Sequence, residues 1–533
     1  MEIRNLPIGI QDFEYIRDYN CVYVDKTAYI YQMAKLGKPY FLSRPRRFGK
    51  SLLLSTLKAY FEGKKDLFQG LAIAELEKEW VEHPVFLIDL NVGEYDSVAK
   101  LNASLGSQLR VLESEWGAEA PDEPLSSRFN SLIRRAAEQT GKKVVVLIDE
   151  YDKPLVQHLE NDLIQEEFRA VLKSFYGVLK SADPWLRFVF ITGVSKFSHV
   201  SIFSDMNQLR DISMEDGYAG ICGITEPELT GTFEQEIQLL ADRNKITRDE
   251  ALAEMRKRYN GYRFAPEAEA VYNPFSVLNT LAKQSFGYYW FRTGTPTFLI
   301  NQIKAARFNI PDFVNGVSIP VQSIDDYRVS SDNPVPLLYQ TGYLTIRGYD
   351  PGLEEYVLDF PNEELKYAFL RELFDSYLPK APDLQGLSVT GFIKDLRKRD
   401  IDGFMTRLRS LIASIPYDIK NEETESWFQT VVYLLFVLLG QYVQAEVHSH
   451  KGRADMVVIT DDSVYVFEFK ITGGKAGKAA DTALKQIDEK DYLGPYRASG
   501  KRLVKIGVAY DITARELGEA IIQEDLTGNL RKP

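Results

Sequence analysis

One stretch near the start of the chain, PYFLSRPRRFGKSLLLSTLKAYFEG (39–63), restricts the fold more than any other. YFLS is a short apolar run that predicts a buried strand. RPRRFGKS predicts a tight loop, and SLLLSTLKAYF a helix, with apolar residues at helical spacing until Gly63. Strand, loop ending in Gly-Lys-Ser, then helix is the layout of a phosphate-binding loop, in which backbone N–H groups and the helix N-terminus converge on phosphate oxygens. The candidate cofactor-binding residues are therefore Arg46, Arg47, Phe48, Gly49, Lys50, Ser51 and Leu52. Lys50 would reach the β- and γ-phosphates as a point charge, and the Ser51 hydroxyl would hold Mg²⁺. The pattern GxxxxGK[ST] asks for glycine at position 44, where this chain has Arg44. The alternative is a basic helix start after a strand, with Gly49 serving only a turn.

A second stretch favours the phosphate loop. KKVVVLIDEYDKPL (142–155) is a continuous apolar strand ending in Asp149 and Glu150. A carboxylate there holds Mg²⁺ through water, which is the role expected of Asp149, and a second acid beside it, Glu150, polarises the attacking water as the catalytic base. WLRFVFITGVSKF (185–197) is another buried strand with Thr192 and Ser195 at its end. These are candidates for sensing a γ-phosphate, or parts of a plain turn around Gly193. Strands alternating with helices, including an amphipathic helix at 162–181 and the strand PVFLIDLNVG (84–93), imply a parallel sheet covered on both faces. NCVYVDKTAYIYQMAK carries a further short strand, then Asp25 or Thr27 as a helix cap, with Asp25 and Lys26 as weaker nucleotide-contact candidates. Arg210 and Arg263 could reach a γ-phosphate from a lid or a neighbouring subunit of a homo-oligomer, but are better read as salt-bridge partners.

At 533 residues the chain is too long for one core. A net charge of −12 argues against a general nucleic-acid coat but leaves room for a local basic cleft. Two cysteines, Cys21 and Cys222, form no framework and suit a reducing cytoplasm. The N-terminus lacks a signal layout, and VVYLLFVLLG (431–440) is too short to span a bilayer. Residues 226–285 read as a helical lid. Residues 286–410 read as a helical or winged-helix-like connecting region, with a small hairpin and following helix from LLYQTGYLTIRG and EYVLDFPNEEL. The aromatic-glycine joints YNGYRF, YNPFSVL, YYWFRTGTP and LLYQTGYLTI read as packing corners.

The last third carries a second candidate site. A helix (424–440) precedes four strand-like segments, QYVQAEVHS, ADMVVIT, SVYVFEFK and LVKIGVAYD, and the amphipathic helix DTALKQIDEKDYL lies before the last of them. Glu468 and Lys470 are two apart on one strand and so share a face, while Phe469 packs into the core. If the two strands around them form a hairpin, Asp455 sits beside Glu468, with Gln486 toward the same edge and Glu425 as an extra ligand. Two carboxylates and a lysine suit metal-assisted phosphodiester hydrolysis, the acids binding Mg²⁺ and Lys470 orienting or ionising water. A Glu/Lys ladder pair on a solvated face is the bland alternative.

The motifs YVDKT, RPRRFGKSLLLSTL, VVVLIDEYDKPL, FITGVSKFS, YNGYRF, YNPFSVL, TGTP and LLYQTGYLTI resemble those of the bacterial AAA-ATPase-like proteins. GRADMVV, YVFEFK and LKQIDEKDYLGPY resemble the PD-(D/E)XK nuclease-like domain often fused to them. The resemblance implies an α/β multidomain chain: a P-loop NTPase domain (1–225), a helical lid (226–285), the connecting region (286–410) and a restriction-endonuclease-like domain (411–533). It implies that Arg44 is normal for such loops, that ATP and Mg²⁺ are the cofactors, and that DNA is the partner. Asp149 becomes the Walker B acid, Glu150 the catalytic base, and Asp455, Glu468 and Lys470 the nuclease triad assisted by Gln486. Ala454 stands where the superfamily's proline precedes the first acid. Two other readings stay open: a signalling switch whose last domain only binds nucleic acid or protein, and a protein that binds nucleotide without turnover.

Overall fold

The computed structural model describes residues 5–37, 39–118, 122–159, 161–196, 202–203, 206, 208–291, 297–306, 308–324, 333–378, 388–414, 421–450, 453–473 and 478–525. They form two compact units, 1–307 with 316–365, and 308–315 with 366–533.

In the first unit the apolar runs β1 (Pro39–Ser43), β2 (Val85–Asp89), β3 (Val144–Asp149) and β4 (Leu186–Gly193) pair as a sheet, joined by the short, charged β5 (Arg210–Asp211). Their order is β2-β3-β4-β1-β5, and every neighbouring pair is parallel. All six residues of β3 are buried, as a strand with both faces covered requires. Helices Val98–Trp116, Leu125–Thr140 and Asp162–Ser181 supply Leu105, Phe129 and Leu172 to a core shared with Val146, Ile148 and Ile191. Because β4 lies between β1 and β3, the residues following those two parallel strands emerge at one sheet edge, on either side of Thr192.

The residues expected to form a lid are helical: Glu226–Thr232, Glu234–Asn244, Arg248–Tyr259 and Pro274–Lys283. Thr225 with Glu228 and Thr247 with Glu250 close capping boxes at two of the starts, where the sequence offers T-x-x-E. The expected hairpin forms from β7 (Thr345–Asp350) and β8 (Glu355–Asp359), and β6 (Val317–Pro320) joins it to give the order β6-β8-β7. One expectation is corrected. NCVYV forms no strand: Val22 donates one backbone bond to Asn5 and the segment then enters the helix Thr27–Leu36, with Asp25 accepting from the Thr27 N–H. Residues 286–307 and 316–365 fall in the first unit, and 308–315 and 366–410 in the second.

The second unit holds β9 (Gln444–His450), β10 (Arg453–Ile459), β11 (Ser463–Thr472), β12 (Arg502–Asp511), β13 (Glu516–Leu517) and β14 (Ile521–Glu524). The order is β13-β12-β11-β10-β9, with β14 also on β12. The helix Asn421–Leu439 lays Phe428 and Phe436 on one face of this sheet, against Tyr510 (ring centroids 3.9 Å apart) and Phe467 (5.0 Å). The helix Ala479–Glu489 covers the other. Among the described residues no helix is long and apolar enough to cross a membrane.

Candidate active sites

Four of the residues expected around the phosphate loop meet at the sheet edge. The loop leaves β1, turns through Arg47 (φ 64°) and Gly49 (φ 94°), and starts the helix Lys50–Phe61. Lys50 is buried, and its Nζ donates to the carbonyls of Arg44 (3.1 Å) and Pro45 (3.3 Å) and lies 3.4 Å from Glu150 Oε1. The Ser51 hydroxyl lies by the Asp149 carboxylate, whose burial pushes its pKa up to about 6 against the influence of that hydroxyl and the nearby Lys50 charge. Glu150 takes φ 51°, a backbone region that side chains avoid and that functional turns hold at a cost of order 1 kcal/mol. The buried Thr192 hydroxyl at the end of β4 has no hydrogen-bond partner among the described residues.

The other expected residues divide. Phe48 is buried, with its ring edge-on to Tyr262 (4.7 Å) and Phe264 (5.4 Å), so it offers the loop its backbone only. Arg46 is exposed, and the Arg47 guanidinium lies 4.1 Å from the Phe275 ring. Ser195 is not exposed at the edge: its hydroxyl (2.5 Å) and N–H (2.7 Å) both go to Asp152 Oδ2. Arg210 makes a two-pronged pair with Glu215, at 2.9 and 2.6 Å, and Arg263 donates to the Arg347 carbonyl. Leu52 lines a largely apolar cavity of about 90 Å³ beside Gly49, walled by Val22, Val24, Ile221, Cys222 and Leu278. Lys26 also lines it, but its Nζ is held by both Glu228 oxygens, at 2.6 and 2.7 Å, and by the Gly220 carbonyl.

Two acids escaped the sequence reading. Asp89 pairs in register with Asp149 across β2 and β3, and burial raises its pKa. The repeated Leu-Ile-Asp ending of both strands was the available signal. Asp152, fully buried with its pKa pushed up to about 6 by burial, ties the backbone of Val194 and Ser195 to the turn after β3. It carried no sequence signal beyond being a third acid in IDEYD.

Arg44 is buried and serves the scaffold. Its guanidinium donates to the carbonyls of Ser43 (2.8 Å), Ser213 (2.7 Å) and Tyr218 (3.3 Å) and stacks 4.1 Å from the Phe264 ring centroid. Pro45 rests against Gly342, where a Cβ would come within 2.6 Å of it. The four aromatic-glycine joints are packing corners, as expected, and what they pack against is the phosphate loop. Within YYWFRTGTP, residues 292–296 lie outside the described residues.

In the second unit β10 and β11 are the expected hairpin, and their register sets Asp455 opposite Glu468. The Asp455 side chain lies outside the described residues. Glu468 is fully buried, and its Oε1 accepts from Lys470 Nζ at 2.9 Å. Lys470 also donates to Gln486 Oε1, so strand and helix meet at this lysine. Glu468 Oε2 has no hydrogen-bond partner among the described residues, an orphaned buried oxygen that suits a cation. Glu425 is exposed and bonds Gln429; its helix packs on the Phe467/Phe469 face, opposite to Glu468. Among the described side chains no group of three or more His, Cys, Asp or Glu has metal-holding geometry.

Comparison with known proteins agrees with both halves. Residues 7–203 match the family model described as predicted AAA-ATPase, and residues 423–519 match that of the PD-(D/E)XK nuclease superfamily. A relative from Azotobacter chroococcum mcd 1, named as an uncharacterized protein in the vnfD 5′ region, is 37% identical over 536 residues, covering 98% of this chain and 99% of its own length. With that end-to-end likeness and the two matches inside it, the chain belongs to the predicted AAA-ATPase family and carries a C-terminal region of the PD-(D/E)XK nuclease superfamily.

Proposed function

We propose that the protein is a cytoplasmic, Mg²⁺-dependent ATPase that gates or positions a Mg²⁺-dependent nuclease acting on DNA. The observation that carries the first half is the meeting of Lys50, Ser51, Asp149 and Glu150 at one sheet edge, from strands that flank β4. Ser51 and Asp149 form a pair of hard oxygen ligands of the kind Mg²⁺ takes, and the ion when bound would offset charge on the phosphates. Lys50 donates to two loop carbonyls and lies beside Glu150. Phosphate oxygens would draw Lys50 away, which frees the Glu150 carboxylate to take a proton from the attacking water. Thr192 would donate its hydroxyl to the γ-phosphate. The apolar cavity beside Gly49 and Leu52 would take the adenine ring.

In the second half, Asp455 and Glu468 would hold Mg²⁺, supplying Lewis acidity at the scissile phosphate. Lys470, anchored by Glu468 and Gln486, would orient the water that attacks phosphorus. The domain division 1–225, 226–285, 286–410 and 411–533 belongs to this reading. The deciding experiment incubates purified protein with plasmid and single-stranded DNA, with and without ATP and Mn²⁺. Metal-dependent cleavage is expected, lost in Lys470→Ala and made ATP-independent or abolished in Lys50→Ala. Cleavage that persists in Lys470→Ala would refute the nuclease half, and unchanged affinity for an ATP analogue in Lys50→Ala the ATPase half.

A further inference from the structure

The phosphate loop is shaped from outside by one indole. Trp290 Nε1 donates to the Arg46 carbonyl at 3.0 Å. A trans peptide is planar and its C=O and N–H point in opposite directions, so fixing the Arg46 carbonyl outward turns the Arg47 N–H the other way. The same logic applies two peptides on, where the Gly223 N–H holds the Phe48 carbonyl at 3.2 Å and so orients the Gly49 N–H. Inward N–H groups are what a phosphate loop offers its ligand. Arg47 sits at φ 64°, a strained setting for a side-chain-bearing residue, and rotation of the Arg46–Arg47 peptide would relieve it. The Trp290 bond opposes that rotation.

Trp290 is itself held. Its backbone N–H donates to Glu364 Oε1 at 2.7 Å, and the Ser276 hydroxyl, from the helix Pro274–Lys283, donates to Glu364 Oε2 at 2.7 Å. Glu364 is fully buried and has no ion-pair partner among the described residues, and these donors fix its two oxygens. The Trp290 ring packs edge-on against Tyr343, 5.4 Å between centroids, next to the Gly342 that seats Pro45. A carboxylate with no cation, aimed at the backbone of an aromatic segment, is costly as a packing element alone. It makes sense as the fixed end of a strut whose other end is the loop.

We infer that Trp290, set by Glu364, is a positioning residue for nucleotide: its indole N–H holds the Arg46 peptide in the orientation that presents loop N–H groups to the phosphates. The inference rests on the nucleotide reading above. Its test compares the full-length protein with Trp290→Phe, which keeps a ring and removes the N–H. Mg²⁺–ATPγS binding is measured by calorimetry, ATP turnover by phosphate release, and unfolding temperature without nucleotide. The expected result is a Kd and a KM raised about ten-fold, kcat within about two-fold, and an unfolding temperature within about 3 °C of wild type. Glu364→Gln keeps the acceptor and removes the charge. It should raise KM in the same sense by about three-fold, and decides the matter if Trp290→Phe does not fold. Unchanged Kd and KM in the folded variants, or a fall in kcat at constant KM accompanied by a lower unfolding temperature, would overturn the inference. Failure of the wild type to bind Mg²⁺–ATPγS would remove the nucleotide reading and the inference with it, which the variants alone would not do.

Discussion

The two candidate sites are built in opposite ways. The C-terminal one is local: Asp455, Glu468, Lys470 and Gln486 come from one hairpin and the next helix, and the sheet beneath them is held by apolar rings on its far face. The phosphate loop is assembled at long range. Arg44 is tied to Ser213 and Tyr218, Arg46 to Trp290, Phe48 to Tyr262 and Gly223, and Pro45 to Gly342. A loop with a first-position arginine cannot rely on glycine to set its shape, and here polar and aromatic contacts from residues 210–346 take over. A long-range site is therefore sensitive to changes far from it in sequence, whereas a local one is sensitive mainly to its own packing.

The sharpest way to break this contrast is Arg44→Ala. The buried guanidinium satisfies three backbone carbonyls and covers the Phe264 ring. Its removal leaves those acceptors dry, at about 1–3 kcal/mol each where water cannot enter. We expect the first unit to lose about 4 kcal/mol, read by urea unfolding, with faster amide exchange along β1 and β5. A loss below about 1 kcal/mol would mean that the loop keeps its shape without the outside brace.

What the sequence disclosed follows the same division. The strands β1, β3 and β4 were legible because a parallel sheet buried on both faces needs unbroken apolar runs. The helix Asp162–Ser181 was legible from its period, and the β10–β11 register from the alternation that places Glu468 and Lys470 on one face. Lys50, Ser51, Asp149 and Glu150 were legible because loop and strand end are contiguous motifs. The roles of Arg44, Asp152, Trp290 and Glu364 were not. A charge that will be buried by partners far along the chain, as Arg44 is by Ser213 and Tyr218 at separations of 169 and 174, looks in sequence like any loop charge. The strand expected at NCVYV failed for a related reason: β-propensity was present, but no partner strand lies beside it among the described residues.

Glu364 offers a second, pH-dependent test of the long-range brace. Burial pushes its carboxyl up to about 7 in the folded protein, from an ordinary value of 4.5. Below about pH 4.5 the group is protonated in both states. As pH rises toward 7 the unfolded chain gives up its proton while the folded chain keeps it, so the unfolded state binds fewer protons and stability falls. Above 7 both are ionised and the loss levels off. The loss amounts to about 3 kcal/mol. Glu364→Gln removes this titration, so the difference in unfolding free energy between variant and wild type should shift in the variant's favour by about that amount between pH 4.5 and 8. Asp149 and Asp152 move in the same direction but are common to both proteins and cancel. A difference that is flat with pH would mean that Glu364 is not the buried, unpaired acid described here.

The smallest expected effect tests the local site on its own terms. Gly507 on β12 stands in register with Glu468, and a Cβ there would lie 2.3 Å from the Ala480 carbonyl and 3.0 Å from Leu484 Cγ. The close approach lets the helix Ala479–Glu489 lie near enough for Gln486 to meet Lys470. Gly507→Ala forces that helix outward by backbone contact, which a rotamer change cannot relieve, at a cost of about 2 kcal/mol. Protection of the Ala479–Glu489 amides should drop, and Lys470 should lose its second anchor while keeping Glu468. Cleavage, where it is assayed, should then fall with the metal affinity unchanged, because Asp455 and Glu468 are set by the β10–β11 register and not by the helix. If metal affinity falls together with cleavage, the helix is as much a part of the second site as the distant joints are of the first, and the two sites differ in span but not in kind.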